Sequence, residues 1–323
     1  MRNGFVAAIV LVILGGRLYA QDAAAPPRLL EPRAAVRLLD GAAVTLSFVL
    51  NTPPDAIEIQ VLDSSGRPVA HLQPDHLQPG LNRIDWDLRY EPPTLVALRT
   101  TPPENPHIWD EPRFQGSETR PVAHKGIEAA EFGPIAAPGH YSVHLIVDGH
   151  TYAQPLEIVL PPYSHGTEAD IQASVRLQLK VREDISVVAD MTNRIERLRK
   201  QIEDYRKSHK AAPAMEQLDG KLQDVEFQLI SPSDALSDEK YDSDAARLYL
   251  NFLWLNGSLG TGTGKYSGGA DYAPTETAIG LVNDLETQLR AVTERYRKLM
   301  DVEVPAYNRG AVAQGLPALA IQP

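Results

Sequence analysis

Residues 156–175 read LEIVLPPYSHGTEADIQASV, and within this stretch the chain changes from strand to helix. Its first residues place apolar side chains at every second position, the period of a half-buried strand. Pro161 and Pro162 then end the strand, because proline cannot donate to a sheet. Thr167, followed three residues later by Asp170, predicts the N-cap and capping box of a helix.

The chain before Pro162 has the pattern of an antiparallel β-structure. Twenty of its 26 prolines lie at or before this position, so turns and strand ends are concentrated there. Asp148-Gly149 predicts a type I′ hairpin turn, since Gly tolerates positive φ. We therefore predict an Ig-like antiparallel β-sandwich over residues 36–162, with Trp86 and Tyr141 in its core. The alternating sets are Val44, Leu46, Phe48, Leu50; Ile57, Ile59, Val61; Ile84, Trp86, Leu88; and Tyr141, Val143, Leu145, Val147.

The chain after Pro162 predicts an antiparallel helical bundle over residues 163–305 with one long helix. Apolar residues recur at steps of three and four, which keeps one helix face apolar. The predicted helices cover about 168–208, 214–230, 244–256 and 275–303, and Val304-Pro305 is expected to end the last. The overall prediction is an α+β protein of two domains. The stripe of the long helix is Val181, Ile185, Val188, Met191, Ile195, Leu198, Ile202 and Tyr205.

The two ends of the chain carry no strand or helix pattern. Residues 1–20 have a positive start, an apolar run of about ten residues and a small-residue end at Ala20, the layout of a cleavable signal peptide. The run is too short for a membrane span, which needs ~20 apolar residues. We expect export, with the protein periplasmic or extracellular. Residues 21–35 are predicted to be a flexible linker and residues 306–323 a flexible tail.

The composition of the chain argues against several classes of function. Acidic residues number 42 and basic residues 31, for a formal net charge of −11. This charge argues against a nucleic-acid binder, which needs a basic face to neutralise phosphates. There is no cysteine. Disulfides, thiolate nucleophiles, Cys-ligated zinc and iron–sulfur clusters are therefore excluded.

A Pro-rich insert at about residues 89–132 interrupts the predicted sandwich and holds the candidate ligand-binding residues. A loop of this length in a compact domain is usually functional or draped over a sheet. His107, Trp109 and Phe114, together with Phe132, would form an aromatic ledge for a sugar or a peptide. The alternative, which we favour, is that these rings attach the insert to the sandwich, since a loop needs apolar contacts to be ordered.

Several motifs suggest catalysis or metal binding, but none of them is complete. The Gly-rich segment 257–265 lacks the first Gly of a phosphate loop and has Tyr266 where Ser or Thr should follow the Lys. His140 and His144 lie on one strand face without a third ligand at useful spacing. Asp85 and Asp87 flank Trp86 and are expected to end a strand. We predict no catalytic residues, no metal and no cofactor.

Two stretches resemble a known family. Residues 79–89, PGLNRIDWDLR, resemble the G-x-N-x-x-x-W-D-x-R signature of hook-cap-type bacterial immunoglobulin-like modules, and residues 133–149 resemble their closing hairpin, which holds Tyr141, Asp148 and Gly149. The order of sandwich, insert, Pro-Pro linker and bundle is similar to the C-terminal region of secreted sortilin-like or BNR-repeat propeller proteins, often labelled glycosyl hydrolases. The sequence contains no Asp-box repeat, so the propeller is missing. The resemblance therefore implies an accessory module and transfers no catalytic residue.

These observations predict a non-enzymatic exported module that binds or scaffolds another exported protein. The long helix is longer than its predicted partners, so part of its apolar stripe would stay uncovered and mediate self-association or docking. The alternative is a closed, monomeric helical bundle in which the second and third helices, end to end, cover the stripe. A carbohydrate-binding or hydrolase-associated module is the second hypothesis, and an enzyme with a site at the junction of the two halves is the third.

Overall fold

The computed structural model describes residues 26–39, 41, 43–123, 131–237, 244–261 and 271–320. The predicted signal peptide, residues 1–20, and His124 of the insert lie outside these residues. The chain combines β-sheets with helices, which confirms the α+β class. Within the described ranges, no helix has the length and apolar content that a membrane span requires.

In the part of the chain that the structure describes, eight strands form two sheets. The smaller sheet has the order β1-β3-β6 and the larger the order β2-β8-β7-β4-β5. Neighbours are antiparallel except β2 and β8, which are parallel. The strands are β1 (Arg28–Leu29), β2 (Ala35–Val36), β3 (Val44–Leu50), β4 (Ile57–Asp63), β5 (Pro68–Leu72), β6 (Gly80–Trp86), β7 (Gly139–Val147) and β8 (His150–Val159).

The two sheets share one hydrophobic core, built from the alternating sets. Trp86 is 1% exposed and meets Tyr141 edge-on, with ring centroids 6.5 Å apart. Its indole Nε1 donates to the carbonyl of Arg89 at 2.9 Å, so its polar atom is satisfied. Asp148 and Gly149 have φ of 48° and 81°, the positive values that a two-residue turn between β7 and β8 requires.

Among the described residues, six α-helices follow the strands. Thr167 and Asp170 form the predicted capping box at the start of the first. Short π-helical turns follow the fourth helix at Gly257–Thr261 and the fifth at Leu299–Glu303. The helices are α1 (Glu168–Arg206), α2 (Pro213–Leu229), α3 (Pro232–Leu236), α4 (Leu248–Asn256), α5 (Glu276–Lys298) and α6 (Val304–Ala313).

The apolar stripe of α1 is covered within the chain. From Val181 to Ile202 each of its residues is at most 5% exposed, and only Tyr205 at its end is partly buried. Helices α2, α4 and α5 pack around it, and residues of the insert complete the cluster. The uncovered stripe that would have mediated self-association is therefore absent from α1.

Described parts of the predicted linker and of the predicted tail contact the folded body, where sequence predicted flexibility. In the predicted linker, β1 pairs with β3 and β2 with β8. Val304-Pro305 does not end the last helix, because a π-helical turn carries the chain into α6 and Pro sits in its first turn, where no N–H is needed. In the predicted tail, Leu319 is 4% exposed and hydrogen-bonds to Asn308.

The middle of the insert packs on the helical half, contrary to the interpretation we favoured, while its start stays on the sheets, where the amide of Glu91 donates to the carbonyl of Val69 at 3.1 Å and Tyr90 packs against the sheet core. Its residues Val96, Leu98 and Val122 belong to the helical core. Residues 94–101, here called the strap, run along α1 in the same direction as the helix. The reason is electrostatic: polar side chains of α1 offer the partners that the extended backbone of the strap needs.

Strap and helix match because the partners on α1 are spaced seven, three and seven residues apart, which keeps them on one helix face. Asn193 accepts from the amide of Ala97 at 2.8 Å and donates to the carbonyl of Leu95 at 3.0 Å, as a neighbouring strand would. Further backbone amides of the strap donate to side chains of α1. The amide of Thr94 donates to Ser186 (3.0 Å), the amide of Thr100 to Glu196 (2.8 Å) and the amide of Thr101 to Glu203 (2.8 Å).

Candidate functional site

The residues of the predicted aromatic ledge contact their own chain. Trp109 and Phe114 meet edge-on at 6.3 Å, and the indole of Trp109 donates to Thr101 Oγ1 at 2.9 Å. Arg113 lies over the ring of Phe114 at 4.7 Å. The side chain of His107 is exposed. The rings are therefore held by the strap and by Arg113, while the contact of His107 is with Asp110.

The other sequence candidates are also dispersed. Phe132 lies against Arg89, whose guanidinium is 5.5 Å from its ring. Asp85 accepts from Thr45 Oγ1 at 2.6 Å across the sheet. His140 and His144 stay on β7, and across the described ranges no cluster of three or more metal-ligating side chains occurs. Residues 262–270 of the Gly-rich segment are outside the described residues.

A cleft of about 300 Å³ lies where the β and helical halves meet, and we call it the junction cleft. Three parts of the chain build it. Arg37 follows β2 and is held to β8 by a hydrogen bond from its amide to the carbonyl of Val159 at 2.9 Å. Tyr163, Ser164 and His165 come from the linker between β8 and α1, and Asp271 and Tyr272 precede α5.

Arg37 is the buried charge of the junction cleft. Its side chain is 4% exposed, and its Nη2 lies 3.0 Å from Asp271 Oδ1. Burial lowers the pKa of its guanidinium, and the charge of Asp271 opposes that shift. Burial likewise raises the pKa of the Asp271 carboxyl, against the effect of Arg37. The pair is therefore a mostly desolvated ion pair, and desolvation strengthens each of its electrostatic contacts.

The cleft also holds polar atoms without partners. Arg37 Nε and Nη1 and Ser164 Oγ are buried, and none of them hydrogen-bonds to any described residue. Native proteins leave few such groups unsatisfied, because each costs roughly 1–3 kcal/mol. Beside them Tyr163 is 71% exposed and Tyr272 is 55% exposed. Buried donors and exposed aromatic side chains thus belong to residues that line one concave site, the usual composition of a ligand pocket.

Gly166 fixes the linker against Asp271. A Cβ at this position would lie 1.6 Å from the carbonyl oxygen of Asp271. No side chain can occupy that space, so only glycine permits this approach. The close contact holds the Arg37 partner against the linker and connects the segment before α1 to the segment before α5.

Sequence reasoning recognised the Pro161-Pro162 linker and offered the junction of the two halves as the place of a third hypothesis, but it identified none of the residues of the cleft. The only available signal was local: a tyrosine, a serine and a histidine stand between a strand end and a helix cap. Nothing in the sequence pairs Arg37 with Asp271, because they are far apart in the chain and neither belongs to a motif.

A second polar cavity, of about 420 Å³, lies between the strap, α1 and α2. Its charged groups are paired: Arg206 contacts Glu216 and Asp219, and Arg199 contacts Asp219 and Glu226. These pairs join α1 to α2, which gives the cavity a structural role.

The comparisons with known proteins assign no family. No family model and no curated protein matches the chain. Among solved structures, CopC from Methylosinus trichosporium OB3b is 16% identical over 44% of this chain and all of CopC, with a TM-score of 0.23. A second match, pT26-6p, is 12% identical over 84% of this chain and 47% of that protein, with a TM-score of 0.14. Scores this low support neither a shared fold nor a shared function.

Proposed function

We propose that this protein is a non-enzymatic binding module that holds its ligand in the junction cleft. One observation carries the proposal: Arg37 is buried at the cleft with two donor nitrogens that no described residue engages, and two exposed tyrosines line the same cleft. A bound ligand would supply the missing acceptors and cover the rings. Export, expected from residues 1–20, would bring the site to ligands outside the cytoplasm.

The geometry favours binding over hydrolysis, although Ser164, His165 and Asp271 all line the cleft. A serine nucleophile needs a base in hydrogen-bond contact, with a carboxylate orienting that base. Here Ser164 Oγ contacts no described side chain, and Asp271 pairs with Arg37 and not with His165. The three residues therefore do not form a catalytic relay.

Scaffolding of another exported protein is the second candidate. The exposure of Tyr163 and Tyr272 favours it, because a protein partner could cover these rings as well as a small ligand could. The site of such docking would be the junction cleft and not the stripe of α1, which is buried.

A ligand-class screen tests the proposal. The melting temperature of the full chain would be measured with neutral glycosides, carboxylates, phosphates, amino acids and short peptides. At least one class should raise it for the wild type and for Val312→Ala, a control that removes exposed apolar surface elsewhere. The double variant Tyr163→Ala/Tyr272→Ala should not respond. Equal shifts of the melting temperature in all three proteins, or no shift with any ligand class, would show that the cleft is not the binding site.

A further inference from the structure

Building on the proposed function, we infer that the junction cleft takes a neutral, hydroxyl-rich ring, a single sugar residue. Arg37 and Ser164 would donate to it, Asp271 would accept from it, and a tyrosine would cover its apolar face.

The donors and the acceptor of the cleft match the chemistry of hydroxyl groups. Arg37 offers Nε and Nη1, and Ser164 offers Oγ, all without described partners. Asp271 uses one oxygen on Arg37 and is 13% exposed, so its carboxylate can accept a further hydrogen bond. A hydroxyl both donates and accepts. Adjacent hydroxyls of one ring can therefore bridge the guanidinium and the carboxylate at once.

The charge of the cleft argues against an anionic ligand. The charges of Arg37 and Asp271 cancel, and the chain carries a formal net charge of −11. A ligand carboxylate bound to Arg37 would lie close to Asp271 in a desolvated setting, where like charges repel strongly. A neutral ligand satisfies the same donors without this cost.

The aromatic walls and the volume of the cleft also favour a single sugar ring. The rings of Tyr163 and Tyr272 can cover the apolar C–H face of a sugar while its hydroxyls meet the polar base. A volume of about 300 Å³ lies at the small end of the range for ligand pockets. It suits one ring, with any further units of a chain extending into solvent.

Calorimetric titration of the full chain provides the test, with methyl glycosides of glucose, galactose and mannose, and with glucuronate and phosphate as anionic probes. At least one neutral glycoside should bind, and more tightly than either anion. Arg37→Lys keeps the positive charge but loses the planar pair of donors, so affinity should fall by about tenfold or more. The matched control Arg67→Lys, at an exposed ion pair with Asp63, should leave affinity unchanged.

If Arg37→Lys does not fold, Ser164→Ala provides a second, independent test of the inference. Its hydroxyl has no described partner, so its removal should not cost stability, yet it should weaken binding by about fivefold to tenfold. Binding of glucuronate or phosphate alone would overturn the neutral-sugar inference and leave the proposed binding function standing. No affinity for any glycoside, or glycoside binding that neither variant changes, would also overturn it.

Discussion

At the scale of single residues, the most unusual contact is between two buried carboxyl groups where the strap meets α1 and α2. Glu196 accepts from the amide and the hydroxyl of Thr100, at 2.8 and 2.9 Å. Glu226, 0% exposed, contacts Arg199, but its Oε1 has no partner among the described residues. Burial, and then the charge of Glu196, raise the pKa of Glu226 well above its usual value, although Arg199 opposes the shift. The raised pKa of Glu226 thus favours its protonated form in the folded chain.

The raised pKa of Glu226 and the hydrogen bonds that Glu196 accepts predict opposite effects of two isosteric changes. In the unfolded chain Glu226 loses its proton near pH 4.5, while the folded chain keeps it. The stabilisation from its raised pKa is therefore full below that pH and is lost as the pH rises through the folded-state pKa. Glu226→Gln should reduce this loss and leave the free energy of unfolding at about pH 8 equal or up to ~1 kcal/mol higher.

Glu196→Gln should instead lower the free energy of unfolding by about 2–3 kcal/mol, because donors of the strap lose a charged acceptor. Urea denaturation at about pH 5 and about pH 8 measures both effects. Equal losses in the two variants would show that Glu226 is ionised in the folded protein.

At the scale of elements, the strap behaves as an added strand whose neighbour is a helix. Asn193→Ala should free the amide of Ala97 and the carbonyl of Leu95, for a loss of about 1–3 kcal/mol. Hydrogen exchange of residues 94–101 should become faster while exchange in α1 stays slow. Asn283→Ala, at an exposed position on α5, is the matched control and should change neither. Unchanged exchange in Asn193→Ala would mean that the apolar contacts of the strap hold it alone.

The stripe of α1 gives a second prediction at this scale. Ile195→Glu places a charge in a site that is 0% exposed, and burying an unpaired charge is among the largest destabilising changes known. We expect loss of more than about 4 kcal/mol, with disruption of the helical half. Val187→Glu, at a position on α1 that is 41% exposed, should leave the circular dichroism spectrum and melting temperature unchanged. A folded Ile195→Glu protein that has only lost self-association would instead restore the association hypothesis.

At the scale of the whole molecule, the insert connects the two halves. It leaves the sheets after Leu88, contributes Leu98 and Val122 to the helical core, and returns where Arg89 and Ile135 form an isolated bridge. Ile171 and Val175 of α1 form a small cluster with Ala137 beside the sheets. The helical half is therefore completed by residues that belong, in sequence, to the β half.

This connection predicts that the halves unfold together. Trp86→Ala should cost ~3–5 kcal/mol, the range for truncating a large buried aromatic residue. The far-UV helical signal and the near-UV aromatic signal should then be lost in one transition at a lower temperature. Trp109→Ala, whose ring is only partly buried in the insert, should lower that temperature less. Two separated transitions, with the helices surviving the loss of the sheets, would establish independent domains.

The sequence by itself determined the features that depend on neighbouring residues. The alternation in β3 and β7, the Asp148-Gly149 turn, the capping box at Thr167 and the stripe of α1 are all local patterns with a fixed period or spacing. The physical reason is that a strand repeats its geometry every two residues and a helix about every 3.6 residues. The buried face can therefore be read from the spacing of the apolar residues.

Only the tertiary structure decided how those elements meet. The pairing of the two-residue strands β1 and β2, the placement of the strap on α1 rather than on a sheet, and the meeting of Arg37 with Asp271 join residues distant in the chain. Each of them depends on isolated polar groups, which have no period, and on a partner whose position is set by the packing of other elements. A buried guanidinium with free donors can be recognised only once the surrounding chain has removed water from it.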